Sequence, residues 1–195
     1  MAPAAPATLP AVPSPSPLHA AKQAVIAFDD AVDQRLARLR GHKGADRLMY
    51  VASELGDWSF IWHLIGAGQG LLPGRNPMTA VRLSVILGVE SALVNGGIKS
   101  LFRRTRPAWE QAHARPHRLR TPTSSSFPSG HASSAFTAAG ILAQGDPLGP
   151  VYYGIAAVVA SSRVYVRIHH ASDVVAGAAL GVAIAAVANR VWPKP

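Results

Sequence analysis

Five apolar stretches, at residues 58–72, 79–98, 132–142, 151–166 and 174–192, follow a polar or proline-rich first fifty residues. They predict an all-α helical bundle. A bilayer core of about 30 Å takes about 20 helical residues, so the stretch at 132–142 must recruit flanking polar positions or belong to a thin, tilted bundle. Abundant Gly and Ala at 174–188 lets helices approach closely, as packing in lipid requires. The expectation is a transmembrane bundle of about five spans, with a soluble helical bundle as the open alternative. No internal repeat is visible.

Ahead of these stretches, Val25, Phe28, Val32, Leu36 and Leu39 recur at steps of three and four, which predicts an N-terminal amphipathic helix over 20–40. Asp29, Asp30 and Asp33 lie toward its start and Arg35, Arg38 and Arg40 toward its end, in accord with the helix dipole, and Gly41 offers a stop. Its stripe either packs on the rest of the protein or lies in a membrane interface. Residues 1–19, with prolines at 3, 6, 10, 13, 15 and 17, read as a disordered Ala/Pro/Ser-rich tail. The tail lacks the basic start and unbroken apolar run of a secretory signal. The chain thus divides into this tail, an amphipathic segment at 20–49 and one apolar domain at 50–195.

Composition sharpens this picture. The chain has no cysteine, so neither disulfides nor zinc-thiolate sites are available. A net charge of +9 implies anionic partners, but charged residues are only 15% of the chain against 49% hydrophobic, an odd balance for nucleic-acid binding and ordinary for a small membrane protein. Phe102 and Trp109 are too few aromatics to supply stacking platforms in the basic loop at 99–120, so no nucleic-acid partner is expected.

Three polar clusters stand at the ends of apolar stretches: Lys99 with Arg106-Pro107, Pro128-Ser129-Gly130-His131, and Ser162-Arg163 with His169 and Asp173. Alternating spans bring all three to one face. Lys99, Arg106 and Arg163 can neutralise phosphoryl oxygens, the arginines by forked donation. Ser129 and Gly130 precede a predicted helix whose free N–H groups add an anion site. His169 and Asp173 are four apart, so the carboxylate can hold one ring nitrogen while the other attacks phosphorus. His131, from another segment, can protonate the leaving alkoxide and later activate water. His170 is three from Asp173, so spacing alone leaves it a rival nucleophile.

These residues resemble the three-part signature of the type-2 phosphatidic acid phosphatase superfamily: K-x6-R-P at Lys99 to Pro107, P-S-G-H at Pro128 to His131 and S-R-x5-H-x3-D at Ser162 to Asp173. The resemblance selects His169 over His170. It implies His169 as nucleophile, His131 as general acid, Asp173 as orienting carboxylate, and Lys99, Arg106, Ser129, Gly130 and Arg163 as phosphate ligands. It implies a metal-free and cofactor-free hydrolase in the cell membrane, with a lipid phosphate as substrate and membrane lipids around it. The superfamily usually has six spans where five are counted here, and vanadium haloperoxidases share its anion cradle. The substrate could be of phosphatidic acid type, phosphatidylglycerol phosphate, a polyprenyl diphosphate or a polyprenyl-phosphosugar phosphate. A non-catalytic anion-binding protein or transporter is the alternative from another class.

Other polar residues carry less. Arg115, Arg118 and Arg120 read as a solvated basic loop, Arg103 and Arg104 as contacts to headgroups or substrate, and His63, His113 and His117 as structural or exposed. Glu54 and Asp57 read as markers of a helix start, and Arg82 and Glu90, inside a predicted span, each require a partner or water. Basic residues concentrate on the motif face, which points that face toward the cytoplasm.

Overall fold

The computed structural model describes residues 16–73, 76–107 and 124–194. The expected tail at 1–15 and His113, Arg115, His117, Arg118 and Arg120 lie outside them. The described residues form seven α-helices: α1 Pro17–Ala37, α2 Lys43–Leu55, α3 Phe60–Leu71, α4 Met78–Ser91, α5 Gly130–Leu142, α6 Gly149–Tyr165 and α7 Ala171–Val191. No strand occurs among them. Helices α3 to α7 correspond to the five apolar stretches, with ends shifted by a few residues.

The N-terminal segment departs from the expected single helix. Its first helix starts at Pro17, three residues early, because proline suits the first helical turn and the Ser16 hydroxyl accepts from the His19 amide at 3.3 Å. It ends before Gly41, whose φ of +89° turns the chain into a second helix. The corner is clamped onto α6: Arg40 donates to the Tyr165 carbonyl at 2.9 Å and to Asp33 at 2.5 Å, and the Tyr165 hydroxyl donates to the Leu39 carbonyl at 2.9 Å. The apolar stripe of α1 is only partly covered. Val25 and Phe28 are exposed, and the one buried residue of the helix is Asp29.

Helix α5 is the core. From Ala132 to Leu142 every residue except Phe136 is buried, Ser133, Ser134 and Thr137 included, so other helices surround this short stretch on nearly all sides. Helix α7 packs on it through Gly177, Gly181 and Ala185, which are buried at steps of four. A Cβ on Gly181 would stand 2.3 Å from the Ser133 carbonyl oxygen, and one on Gly177 2.4 Å from that of Ser129. Only hydrogen fits. The close approach also lets the Thr137 hydroxyl donate to the Gly181 carbonyl at 3.2 Å.

Helix α4 does not end as an α-helix. It unwinds into a π-helical turn at Ala92–Gly97 and a 3-10 turn at Ile98–Leu101. In an unbroken α-helix, nine residues at about 100° each would put Glu90 and Lys99 on opposite faces. The unwinding instead brings both, buried, to one cavity. At the other end of the bundle, buried Arg82 is held by three acceptors: its guanidinium donates to the Trp192 carbonyl and the Asn189 side chain at 2.6 Å each, and to Gln144 at 3.1 Å.

Among the described residues two helical runs, Met78–Leu101 and Ala171–Val191, are long and apolar enough to cross a membrane. Val81, Val85, Val89 and Leu93, four apart along α4 and into the π turn that follows it, point outward as an apolar stripe.

Candidate active site

A cavity of about 540 Å³ opens at the end of the bundle where α4 unwinds and α5 begins, and Lys99, Gly130, His131, Arg163 and His169 line it together. They come from four separate segments. The structure therefore brings five of the eight expected site residues onto one wall. Arg106 reaches the same place from behind, with its guanidinium 3.3 Å from His169 Nε2 and donating to the Ile168 carbonyl at 2.9 Å. Ser129 caps α5, where its hydroxyl accepts from the Ala132 amide at 3.4 Å and its own amide donates to the Asp173 carbonyl at 3.0 Å.

His169 is delivered by the end of α6. The Ile168 amide donates to the Arg163 carbonyl and the Arg167 amide to the Val164 carbonyl, both at 3.0 Å, the Schellman pattern, with Arg167 in the left-handed conformation at φ +56°. The chain then reverses into α7, whose first turn holds Asp173. The His169 Nδ1 lies 3.6 Å from Asp173 Oδ2, and Nε2 faces Arg106. Burial pushes the His169 ring down to about 3; Asp173 opposes this, and the cations Arg163, Arg106 and Lys99 add to it. The ring is neutral at ordinary pH. His170 points elsewhere, with Nε2 3.3 Å from the Thr105 carbonyl oxygen.

The sequence model of the PAP2 superfamily matches residues 79–195, more than half of the chain, and includes Lys99, Gly130, His131, Arg163 and His169 of the cavity lining. This chain belongs to the PAP2 superfamily. Decaprenylphosphoryl-5-phosphoribose phosphatase of Mycobacterium tuberculosis (strain H37Rv) is 36% identical to it over 94 residues, which are 48% of this chain and 51% of that protein. The PAP2 chain thus spans about half the length of the curated relatives it matches. Its fold is similar to the transmembrane PAP2-type phosphatidylglycerolphosphate phosphatase of Bacillus subtilis, with a TM-score of 0.66, 25% identity and 86% of each chain covered. It is also similar to Aquifex aeolicus LpxE, with a TM-score of 0.65, 21% identity, and 85% of this chain and 94% of that one covered.

Several contacts in and around the cavity were not anticipated. Arg104, expected to meet headgroups or substrate, is instead paired inside the protein: its guanidinium donates to Asp173 Oδ1 at 2.7 Å, to the Ser172 hydroxyl at 2.7 Å and to Asp29 Oδ2 at 2.6 Å. Asp29 in turn accepts from the Ser172 amide at 2.7 Å. A carboxylate on α1 so braces the start of α7. Glu54 is not the mark of a helix start, because α2 runs through it to Leu55; Asp57 opens the 3-10 turn Asp57–Ser59 that leads into α3, and its Oδ1 also stands 2.9 Å from His131 Nε2. Ser53 accepts from Arg163. His63 bonds Ser84 at 3.1 Å, and both line the cavity with Glu90, Ser91 and Asn95. Spacing could not have revealed these partners, since each pairing joins positions far apart in the chain.

Proposed function

We propose that this PAP2 protein is an integral-membrane phosphatase that hydrolyses a phosphomonoester or diphosphate of a lipid-linked substrate through a phosphohistidine, without metal. One observation carries the reading: His131 and His169, from different segments, open onto a single cavity lined by Lys99 and Arg163. An anion-binding protein needs the cations but has no use for a neutral imidazole backed by a carboxylate.

In the proposed reaction the lone pair of His169 Nε2 attacks phosphorus. The bond from phosphorus to the lipid oxygen breaks, and that oxygen leaves with the electron pair and takes a proton from His131. Asp173 holds the Nδ1 side of His169 and supports the positive charge formed there. Water then attacks the phosphohistidine, its proton passes to His131, and the nitrogen–phosphorus electrons return to Nε2. Lys99, Arg106 and Arg163 neutralise the phosphoryl oxygens throughout. Gly130 lets the backbone at the start of α5 come close, and the Ser129 hydroxyl, which accepts from Ala132, keeps its own proton to donate.

A polyprenyl-linked phosphosugar phosphate is the favoured substrate class, because the mycobacterial relative is named for such a lipid. A glycerophosphate lipid is second, from the Bacillus neighbour. The proposed topology has α3 to α7 as five spans of the domain at 50–195, in the cell membrane, with the cavity on the cytoplasmic face. The outward apolar stripe of α4 and the small-residue packing of α5 on α7 support membrane residence.

The test is phosphate release from a panel of lipid phosphates in detergent with excess chelator. Release that survives chelation, is inhibited by vanadate and falls to background in His169→Ala is expected. No release from any lipid phosphate would transfer the case to an anion-binding role.

A further inference from the structure

We infer that Asp57 is the positioning residue of His131, so that the site holds two imidazole–carboxylate pairs, one for each proposed histidine role. The inference rests on the phosphatase reading above and deepens it. Asp57 Oδ1 stands 2.9 Å from His131 Nε2, closer than Asp173 stands to His169. A carboxylate at that distance draws a proton to Nε2, which leaves Nδ1 to exchange a proton with the substrate oxygen.

The electrostatic need is specific to His131. A general acid must carry a proton before it gives one away, yet Lys99, Arg163 and His169 share the cavity with this ring, from the end of α4, from α6 and from the loop before α7. Two of these neighbours are cations. Asp57, from the turn after α2, supplies the opposing charge. Glu90 also lines the cavity, from α4, and Asp57 is the carboxylate 2.9 Å from this ring; without it a protonated His131 would lose that contact charge beside Lys99 and Arg163.

The backbone around Asp57 is arranged for this placement. Trp58 and Ser59, neither of them glycine, follow it with φ of 56° and 57°, the left-handed region that bulky side chains avoid. Strain of this kind persists only where the surroundings over-determine it. Before it comes Gly56, where a Cβ would stand 2.7 Å from His131 Cδ2 and 2.9 Å from Val159 Cγ1. The chain therefore slides past the imidazole edge at Gly56 and turns sharply back at Trp58, which leaves the intervening carboxylate against Nε2.

The experiment compares Asp57→Asn and Asp57→Glu with wild type in detergent. One substrate is a lipid phosphate, whose alkoxide leaving group needs a proton. The other is p-nitrophenyl phosphate, whose leaving group does not; its first-turnover nitrophenolate release isolates the first step. Asp57→Asn is expected to lose roughly tenfold to a hundredfold in kcat on the lipid phosphate, part of the roughly 10² to 10⁴ a general acid supplies. The alkaline limb of its pH profile, set by the need for a protonated His131, should move to lower pH, vanadate should still bind as in wild type, and nitrophenolate release should change less than threefold. Asp57→Glu should recover part of the loss. An Asp57→Asn enzyme that matches wild type on both substrates would overturn the role of Asp57 and leave the hydrolase reading standing. Equal losses on both substrates would overturn it too, as the mark of a merely structural residue. A wild-type protein that releases phosphate from neither substrate would end both readings.

Discussion

Arg104 donates to Asp173 Oδ1 at 2.7 Å, and its other guanidinium nitrogen reaches Asp29 at 2.6 Å. Asp173 is fully buried, so its charge depends on such donors, and the His170 amide supplies a second at 2.9 Å to the other oxygen. The carboxylate behind His169 is therefore held by a donor from the segment after α4, itself anchored on Asp29 of α1, and by one from the cap of its own helix.

Removing the guanidinium should therefore act through Asp173. Arg104→Ala is expected to cost about 2 kcal/mol of stability, the worth of a charged hydrogen bond, and to lower kcat roughly tenfold or more with little change in KM. Thermal unfolding in detergent and initial-rate kinetics check both. Asp29→Asn should show the same pattern more weakly, because it leaves the Arg104–Asp173 contact in place.

The low pKa of His169 also has a stability consequence. The unfolded imidazole titrates near 6.5 and the folded one near 3, so as pH falls below about 6.5 the unfolded chain takes up a proton that the folded chain refuses. Stability present above pH 6.5 is lost as the pH falls toward 3. Between pH 7 and pH 5 the expected loss from this group is about 2 kcal/mol, at 1.36 kcal/mol per pH unit below 6.5. Thermal unfolding of wild type should drop more over that interval than that of His169→Gln. Equal drops would show that the ring is not buried as described.

The α5–α7 seam should resist even a methyl group. Gly181→Ala forces the Ser133 carbonyl away and is expected to cost about 1–3 kcal/mol, as overpacking does. Gly177→Ala presses on the Ser129 carbonyl at the cap of α5, so it should lower activity as well as stability. Unfolding temperature and turnover of the two variants separate the effects.

Arg82 supplies the opposite contrast. It lies at the far end of the bundle and ties α4 to the C-terminal end of α7 through Trp192 and Asn189. Arg82→Ala should cost about 2–3 kcal/mol by leaving those acceptors unpaired, while turnover per folded molecule stays within twofold of wild type. A large loss of turnover would mean that this end communicates with the cavity.

Most of the fold was legible because continuous apolar runs report helices directly: 151–166 became Gly149–Tyr165 and 174–192 became Ala171–Val191. The grouping of Lys99, His131, Arg163 and His169 was legible because each stands at the end of such a run. What escaped was winding and partnership. The π turn at Ala92–Gly97 leaves no mark in composition beyond Gly96 and Gly97, since its residues are as apolar as those of α4. Asp29 looked like a dipole-matched surface residue, and Asp57 like punctuation. Their partners lie about 75 positions along the chain, Arg104 from Asp29 and His131 from Asp57, where no local spacing rule reaches.

The unwound end of α4 makes chain length, rather than residue identity, the quantity that this stretch must preserve. Replacing Leu93, whose side chain faces outward, by another apolar residue leaves the winding alone. Deleting it would rotate everything downstream by about 100° and swing the ammonium of Lys99 out of the cavity it lines.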